Sequence, residues 1–222
     1  MNKKDLFVSL VIGEISAWLI IILAKGLVPP DIYASYSGAI LYGLPVFFPV
    51  ICAISLSIAG LLSRKTPVIY QVAKFVLIGG LNTLVDWGVL TLAISVFRNL
   101  FAIDAKDTFL IILSLSVAYY SFFKALSFVA ATISSFFWNK FWTFKRTTTE
   151  RAGNEFLQFL IISFCGFLIN VGIASGIFKL AAPPAGLNAD QWAIVAAVAA
   201  TAISMVWNFL GYKFIVFDAR KA

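Results

Sequence analysis

The sequence contains no histidine, and only 12% of its 222 residues are charged. Histidine is the commonest metal ligand and a frequent general base near neutral pH, so the usual hydrolytic and zinc-dependent mechanisms lack their main side chain. The sequence motifs of serine hydrolases, metalloproteases, P-loop proteins and dinucleotide-binding proteins are also absent. We therefore expect a protein that is not an enzyme and that uses neither a metal nor a cofactor.

Cysteine is also scarce, since the chain has only Cys52 and Cys165. Both lie within apolar runs and have no metal-ligand spacing around them. Thiols in such positions usually pack as small hydrophobic side chains. We expect neither a disulfide framework nor a redox site.

Hydrophobic residues make up 61% of the chain, which is too many for a soluble surface. The formal charge of +7 does not indicate nucleic-acid binding, because the basic residues lie at the ends of apolar runs. Six of these runs are long enough to cross about 30 Å of hydrocarbon as helices. They cover residues 6–24, 39–62, 73–97, 119–139, 156–180 and 191–212. The fold class is therefore an all-α membrane protein with six transmembrane helices.

The segment 99–120 is harder to assign. Its apolar part, residues 108–118, is too short to span a bilayer as a helix. We expect it to form either an interfacial helix or an outer extension of the fourth transmembrane helix.

The distribution of basic residues predicts the orientation. Lysine and arginine accumulate in cytoplasmic loops, and an even number of spans puts both termini on one side. With cytoplasmic termini, that side holds Lys3, Lys4, Arg64, Lys65, Lys74, Lys140, Lys145, Arg146, Arg151, Lys213, Arg220 and Lys221. The opposite side holds only Lys25, Arg98, Lys106, Lys124 and Lys179. We therefore expect a multi-pass protein of the cytoplasmic (inner) membrane with both termini in the cytoplasm.

The last four helices contain an internal repeat. Residues 74–90 align without gaps on residues 158–174 at an offset of 84, and residues 128–144 align on residues 201–217 at an offset of 73. Each copy contributes two helices, so both copies enter the membrane in the same direction. Parallel repeats of this kind commonly build transport paths.

Polar side chains on the repeated helices are candidates for a substrate path. Asp86 lies twelve residues after Lys74, which places it roughly 18 Å along the helix and near the bilayer centre. A central carboxylate costs about 2.5–3.5 kcal/mol, so a partner, a proton or a water-filled cavity is expected there. Asn170 occupies the equivalent position in the second copy. Because removing an isolated buried charge is favourable, the sequence predicts that Asp86→Asn keeps or raises stability.

The motifs of the repeat resemble those of the GtrA-like family of small polytopic membrane proteins. The resemblance covers about residues 73–217. Its first copy carries Phe75, Gly79, Asn82, Thr83 and Asp86, followed by Ser135, Phe136, Asn139, Lys140, Trp142, Thr143 and Phe144. Its second copy ends with Asn208, Phe209, Tyr212, Lys213, Val216 and Phe217. The resemblance implies a two-helix extension over residues 1–70 and a four-helix domain over residues 71–222, with repeats at about 73–144 and 157–217.

Members of this family are linked to moving polyprenyl-phosphate-linked sugars across the membrane for cell-surface glycan modification. The resemblance therefore implies a flippase, with a lipid-linked sugar and membrane lipids as partners. Sugar hydroxyls and a lipid phosphate need polar groups at mid-depth and cations at a helix end. The candidate substrate-binding residues are Asn82, Asp86, Asn170, Asn208, Lys74, Lys140 and Lys213. The candidates for proton coupling are Asp86 and Glu14.

Two other functions remain open. Regions similar to this one are fused to some dolichol-phosphate mannose synthases, so the chain could be a non-transporting anchor or partner subunit of a glycosyltransferase. Glu14 in the first helix suggests a second alternative, a proton-coupled exporter of small cations. A glycosyltransferase and a second copy of the chain are the candidate protein partners, and we expect no nucleic-acid partner.

Overall fold

The computed structural model describes residues 2–112, 115–184 and 186–218. Within these residues, six helical runs are long and apolar enough to cross a membrane, which confirms the expected fold class. The runs are Lys3–Leu27, Pro30–Leu62, Val68–Phe101, Tyr119–Thr143, Ala152–Leu180 and Ala189–Val216. Arg220 and Lys221, two of the residues used to predict orientation, lie outside the described residues.

Three of the six runs contain a short π-helical segment. The α-helices are α1 (Lys3–Leu27), α2 (Pro30–Gly38), α3 (Leu44–Leu62), α4 (Val68–Phe101), α5 (Tyr119–Trp138), α6 (Ala152–Leu180) and α7 (Ala189–Gly211). The π-helical segments are π1 (Ala39–Gly43), π2 (Asn139–Thr143) and π3 (Tyr212–Val216). A π-helical turn holds one more residue than an α-helical turn, and such turns are frequent at functional sites.

Local sequence signals explain several helix ends. The Asn2 side chain accepts a hydrogen bond from the Asp5 backbone amide at 2.7 Å and caps α1. Asn188 and Gln191 form a reciprocal capping box at the start of α7. Ala102 takes a left-handed backbone conformation and ends α4.

The segment after α4 forms a β-hairpin, which corrects both expectations for residues 99–120. The helix α4 ends at Phe101, and the antiparallel strands β1 (Thr108–Ile112) and β2 (Leu115–Ala118) follow. Pairing of the two strands satisfies backbone groups of this short segment. Residues 113 and 114 lie outside the described residues.

Aromatic side chains hold this hairpin against the helices that flank it. The Phe109 ring stacks on the Phe122 ring with centroids 4.9 Å apart, and Phe97 contacts Phe123 at 4.8 Å. The Tyr119 amide also donates to the Asp107 carbonyl at 2.9 Å. The hairpin is therefore fixed at the C-terminal end of α4 and the N-terminal end of α5.

The chain divides into two compact units, residues 1–143 and residues 144–222. In the first unit, α1 packs against α3 and α4, and α4 packs against α5. The buried core of this unit includes Ile12, Leu56, Ile78, Leu81 and Trp142. In the second unit, α6 packs against α7 and π3.

Helices α1 and α3 approach each other closely at Gly13. A side chain at this position would collide with the backbone of Pro49. Small residues allow such backbone contacts between membrane helices. Gly13 therefore lets the N-terminal helices pack tightly against each other.

The internal repeat is visible in the bounds of the elements. Helix α4 begins at Val68 and α6 at Ala152, which preserves the offset of 84, and π2 and π3 are separated by the offset of 73. The buried faces of the second helices also correspond. In α5 they include Phe123, Ser127, Ala131 and Phe136, and in α7 they include Ala196, Ala200, Ser204 and Phe209.

Candidate functional site

The central polar contact of the first unit joins Asp86 on α4 to α5. The Lys124 Nζ atom donates to Asp86 Oδ2 at 2.5 Å, and the Ser127 hydroxyl donates to Asp86 Oδ1 at 2.7 Å. Lys124 and Ser127 are three residues apart and so project from the same face of α5. Asp86 thus has a cation and a hydroxyl as partners.

This ion pair is only partly enclosed. The exposed fraction is 41% for the Lys124 side chain and 21% for the Asp86 side chain. Charges that face hydrocarbon are costly, so paired charges in membrane helices usually face a bundle interior or a water-filled path. Both side chains are therefore accessible from outside the contact that they form.

The equivalent position of the second unit makes a neutral contact. Asn170 on α6 donates to Thr201 Oγ1 at 3.2 Å and to Ser204 Oγ at 3.3 Å, both on α7. The position that holds Asp86 in the first copy thus joins two helices in both copies. Charge is present only in the first of these two contacts.

Two other predicted residues, Asn82 and Asn208, carry buried side-chain oxygens. Neither Oδ1 atom accepts a hydrogen bond within the described part of the chain. Asn208 packs directly against Gly166, where any larger side chain would overlap it. A buried acceptor without a donor is costly, so each oxygen would gain a hydrogen bond from a hydroxyl donor that reached it.

The predicted docking residue Lys74 instead lies inside a polar cluster of the first unit. Its exposed fraction is 1%, and its Nζ atom donates to Asp5 Oδ1 at 2.5 Å. Asp5 also accepts from the Trp142 indole at 2.9 Å and from the Tyr70 hydroxyl at 3.1 Å. The Lys74 ammonium lies 4.8 Å from the Tyr70 ring centroid and 5.1 Å from the Trp142 centroid. This cluster joins α1, α4 and π2.

The other two predicted docking lysines occupy equivalent places in π2 and π3. The Lys140 Nζ atom lies 5.7 Å from the ring centroids of Phe136 and Phe141. The Lys213 Nζ atom lies 5.6 Å from the Phe209 centroid and 5.5 Å from the Phe214 centroid. Each lysine therefore contacts the ring four residues before it and the ring one residue after it. Lys140 is buried, whereas Lys213 is half-buried.

The π2 segment holds further buried polar atoms, on two residues that belong to the repeat motif but are not among the candidate site residues. Asn139 and Thr143 are each 1% exposed. The Asn139 Oδ1 and Thr143 Oγ1 atoms make no hydrogen bond among the described residues. They flank Lys140 along the chain, so this end of the first unit is polar although it is buried.

Glu14, the second candidate for proton coupling, has a local partner. Its carboxylate accepts a hydrogen bond from the Trp18 indole one helical turn later, at 2.7 Å. This contact is exposed and lies within α1. Among the residues that the structure describes, Glu14 has no cationic partner such as Lys124 is for Asp86.

The structure brings Asp86 together with two residues that the sequence did not identify, Lys124 and Ser127. Their spacing on α5 was a usable signal, but the position of Lys124 near a helix start favoured an orientation role instead. Asp5, which neutralises Lys74, was also missed. No group of three potential metal ligands occurs among the described residues.

Comparison with known proteins identifies one matching family. A family model described as "GtrA/DPMS, transmembrane domain" matches residues 74–217, about two thirds of the chain. No curated protein and no solved structure matches the chain significantly. The matched region begins at Lys74 and ends at Phe217, so it includes both π2 and π3 but not α1, α2 or α3.

Proposed function

The chain belongs to the GtrA/DPMS family, and we propose that it translocates a polyprenyl-phosphate-linked sugar across the cytoplasmic membrane for cell-surface glycan modification. The family is linked to the handling of polyprenyl-phosphate sugars. The observation that carries the proposal is the Asp86–Lys124 pair, a partly accessible charge pair between two membrane helices.

The pair offers both groups that a sugar phosphate requires. The Asp86 carboxylate accepts hydrogen bonds from sugar hydroxyls, and the Lys124 ammonium donates to hydroxyl or phosphate oxygens. Ser127 adds one more hydroxyl. The unpartnered oxygens of Asn82 in the first unit and Asn208 in the second unit add acceptors on the repeated helices. We propose that these groups replace water around the head group as it crosses.

Asn170 is the neutral counterpart of Asp86, and we propose that it binds sugar hydroxyls in the second unit. Its hydrogen bonds to Thr201 and Ser204 are 3.2 and 3.3 Å long, at the weak end of the range for N–H···O bonds. Exchange of such bonds for bonds to a sugar costs little. Because Asn170 carries no charge, it binds the head group less tightly than a charged residue would, and the head group can leave.

For phosphate docking, we propose Lys140 and Lys213. Both ammonium groups lie near two aromatic rings, at equivalent positions of the repeated π-helical turns. Lys74 lies instead in the buried Asp5 cluster, which joins α1, α4 and π2. We propose that Lys74 mainly holds the N-terminal helices to the matched domain.

Asp86 is also the better of the two candidates for proton coupling. A carboxylate that exchanges a proton changes its attraction to Lys124, so protonation alters the contact between α4 and α5. Protonation of Glu14 affects only a hydrogen bond to Trp18 within one helix. We propose that Asp86 couples translocation to protons.

The direct test is reconstitution of the purified chain in liposomes with a fluorescent polyprenyl-phosphate sugar. Translocation is measured as loss of fluorescence when a membrane-impermeant reductant reaches the outer leaflet. The proposal expects faster exchange than in protein-free liposomes, with no glycosyltransferase present. Exchange that requires an added glycosyltransferase would instead identify a partner subunit.

A further inference from the structure

A cavity with both polar and apolar lining residues lies at the C-terminal ends of α1 and α4, far along the chain from the π2 and π3 lysines. Its volume is about 560 Å³. The cationic side chains Lys25 of α1 and Arg98 of α4 line it, together with the polar side chains Thr91, Ser95 and Asn99. No carboxylate is among the residues that line it.

Both cations of this cavity keep hydrogen-bond donors that the protein does not use. Arg98 is ion-paired, since its Nε donates to Asp104 Oδ1 at 2.9 Å in an exposed contact. The four remaining N–H groups of the guanidinium have no acceptor among the described residues. Lys25 forms no ion pair within the part of the chain that the structure describes. The Lys25 ammonium and the remaining guanidinium N–H groups can therefore donate to one anion.

Basic residues near helix C-termini often serve only as anchors, since they complement the helix dipole. That role requires each side chain to extend separately toward the interface. Here two different helices direct their cations to one concave space, and three hydrogen-bonding side chains border the same space. This arrangement is typical of an anion-binding site rather than of two independent anchors.

A second, apolar cavity indicates that the anion is part of a lipid. It has a volume of about 450 Å³ and is also lined by α1 and α4, with Phe48 and Cys52 of α3. On α4, Leu77 and Leu84 line this apolar cavity, and Thr91 and Arg98 line the first cavity. These four residues are seven apart, which places them on one helix face. A lipid has the same arrangement, with an apolar tail followed by a polar head group.

We propose that the Lys25–Arg98 cavity binds the phosphate group of a lipid whose tail lies along α1 and α4. The predicted orientation places this site at the external face of the membrane. It depends in part on α1, which lies outside the region that the family model matches. The site goes beyond the proposed translocation, because lipid binding here can be measured whether or not a sugar is moved.

The test measures binding of radiolabelled farnesyl phosphate to the full chain in phosphatidylcholine nanodiscs, in a Lys140→Gln, Lys213→Gln background that removes the proposed cytoplasmic docking site. We expect Lys25→Gln with Arg98→Gln to weaken binding at least about tenfold, since two charge-assisted contacts are lost. Ser95→Phe fills the cavity without changing charge and should also weaken binding. The matched control, Lys106→Gln with Lys179→Gln, removes the same charge from the same predicted face and should bind like the wild type.

Competition identifies the source of the phosphate. Unlabelled farnesyl phosphate should displace the probe, whereas farnesol and inorganic phosphate at the same concentration should not. Displacement by inorganic phosphate would overturn the lipid assignment. Wild-type binding by both the double variant and Ser95→Phe would overturn the site. Probe binding is measured without translocation, so loss of binding in the Lys25→Gln, Arg98→Gln variant and loss of transport in Asp86→Asn liposomes are separate outcomes.

Discussion

The ion pair between Asp86 and Lys124 changes the expected effect of a substitution at residue 86 on protein stability. An isolated carboxylate near the bilayer centre would be better replaced by asparagine, as the sequence alone predicts. In the structure, however, Asp86 neutralises Lys124 at 2.5 Å. Removal of the carboxylate leaves a cation without its partner, and an unpaired charge in a membrane helix is costly.

We therefore predict that Asp86→Asn lowers the free energy of unfolding. A broken buried pair costs about 3–5 kcal/mol and an exposed pair at most about 1 kcal/mol, so this partly exposed pair should cost about 1–3 kcal/mol. Adding Lys124→Gln should restore most of the loss. The measurement is a double-mutant cycle by denaturant titration in lipid–detergent micelles. Equal effects of Lys124→Gln in both backgrounds would show that the two residues are not coupled.

The Asp5 cluster supports a second prediction at the residue scale. Asp5→Asn leaves the buried Lys74 ammonium without its counterion and should destabilise the protein by about 3–5 kcal/mol. Tyr70→Phe removes one hydrogen bond to Asp5 and should cost only about 1 kcal/mol. Asp31→Asn, which changes an exposed acid in the first turn of α2, is the matched control. Similar stability of Asp5→Asn and Asp31→Asn would contradict the structural role of the cluster.

The sequence could predict Asp86 and Asn170 because they lie at equal positions of a repeat. It could not predict their partners. Lys124 lies five residues after the start of α5, where basic residues usually anchor a helix. Asp5 and Lys74 are 69 residues apart, and nothing in the local sequence relates them.

At the scale of elements, the internal repeat was the most predictable feature. The β-hairpin and the π-helical turns were the least predictable. Ungapped alignment at two offsets predicted the pairs α4–α5 and α6–α7, and apolar length predicted every span. The hairpin at 108–118 was missed because a short apolar run has the same composition in a strand as in a helix. The π-helical turns were missed because no residue pattern specifies the extra residue in a turn.

The matched positions of π2 and π3 allow a test of phosphate docking. We predict that Lys140→Gln and Lys213→Gln each weaken binding of a lipid-linked sugar, and that the double variant weakens it at least about tenfold. Lys140→Gln should also lower the melting temperature, because Lys140 is buried and Lys213 only half-buried. Binding is measured with purified protein in nanodiscs.

The control for this pair is Lys65→Gln, an exposed lysine after α3 on the same predicted membrane face. It should leave both binding and melting temperature unchanged. Wild-type binding by a folded Lys140→Gln, Lys213→Gln protein would assign both lysines to orientation and lipid anchoring.

At the scale of the whole molecule, six spans are consistent with both termini on one side of the membrane. The excess of lysine and arginine predicts that this side is the cytoplasm. The orientation matters for function, because it places Lys140 and Lys213 where a cytoplasmic lipid phosphate would bind. It places the Lys25–Arg98 cavity on the opposite face.

Single cysteines can test the orientation in a background in which Cys52 and Cys165 are replaced by alanine. Thr148→Cys lies in the exposed loop before α6, and Pro184→Cys lies in the exposed loop before α7. We predict that an impermeant maleimide labels Pro184→Cys on intact cells and labels Thr148→Cys only after lysis. The reverse labelling pattern would contradict the predicted orientation. The docking lysines would then lie at the external face.

The central claim is that the Asp86 site carries the lipid-linked sugar across the membrane. The most direct measurement compares initial translocation rates of the wild type, Asp86→Asn and Glu14→Gln in proteoliposomes with equal amounts of folded protein. The account predicts transport by the wild type and by Glu14→Gln, and at least about a tenfold lower rate for Asp86→Asn, equivalent to about 1.4 kcal/mol in the barrier. Wild-type transport by folded Asp86→Asn, or no transport by the wild type itself, would contradict it.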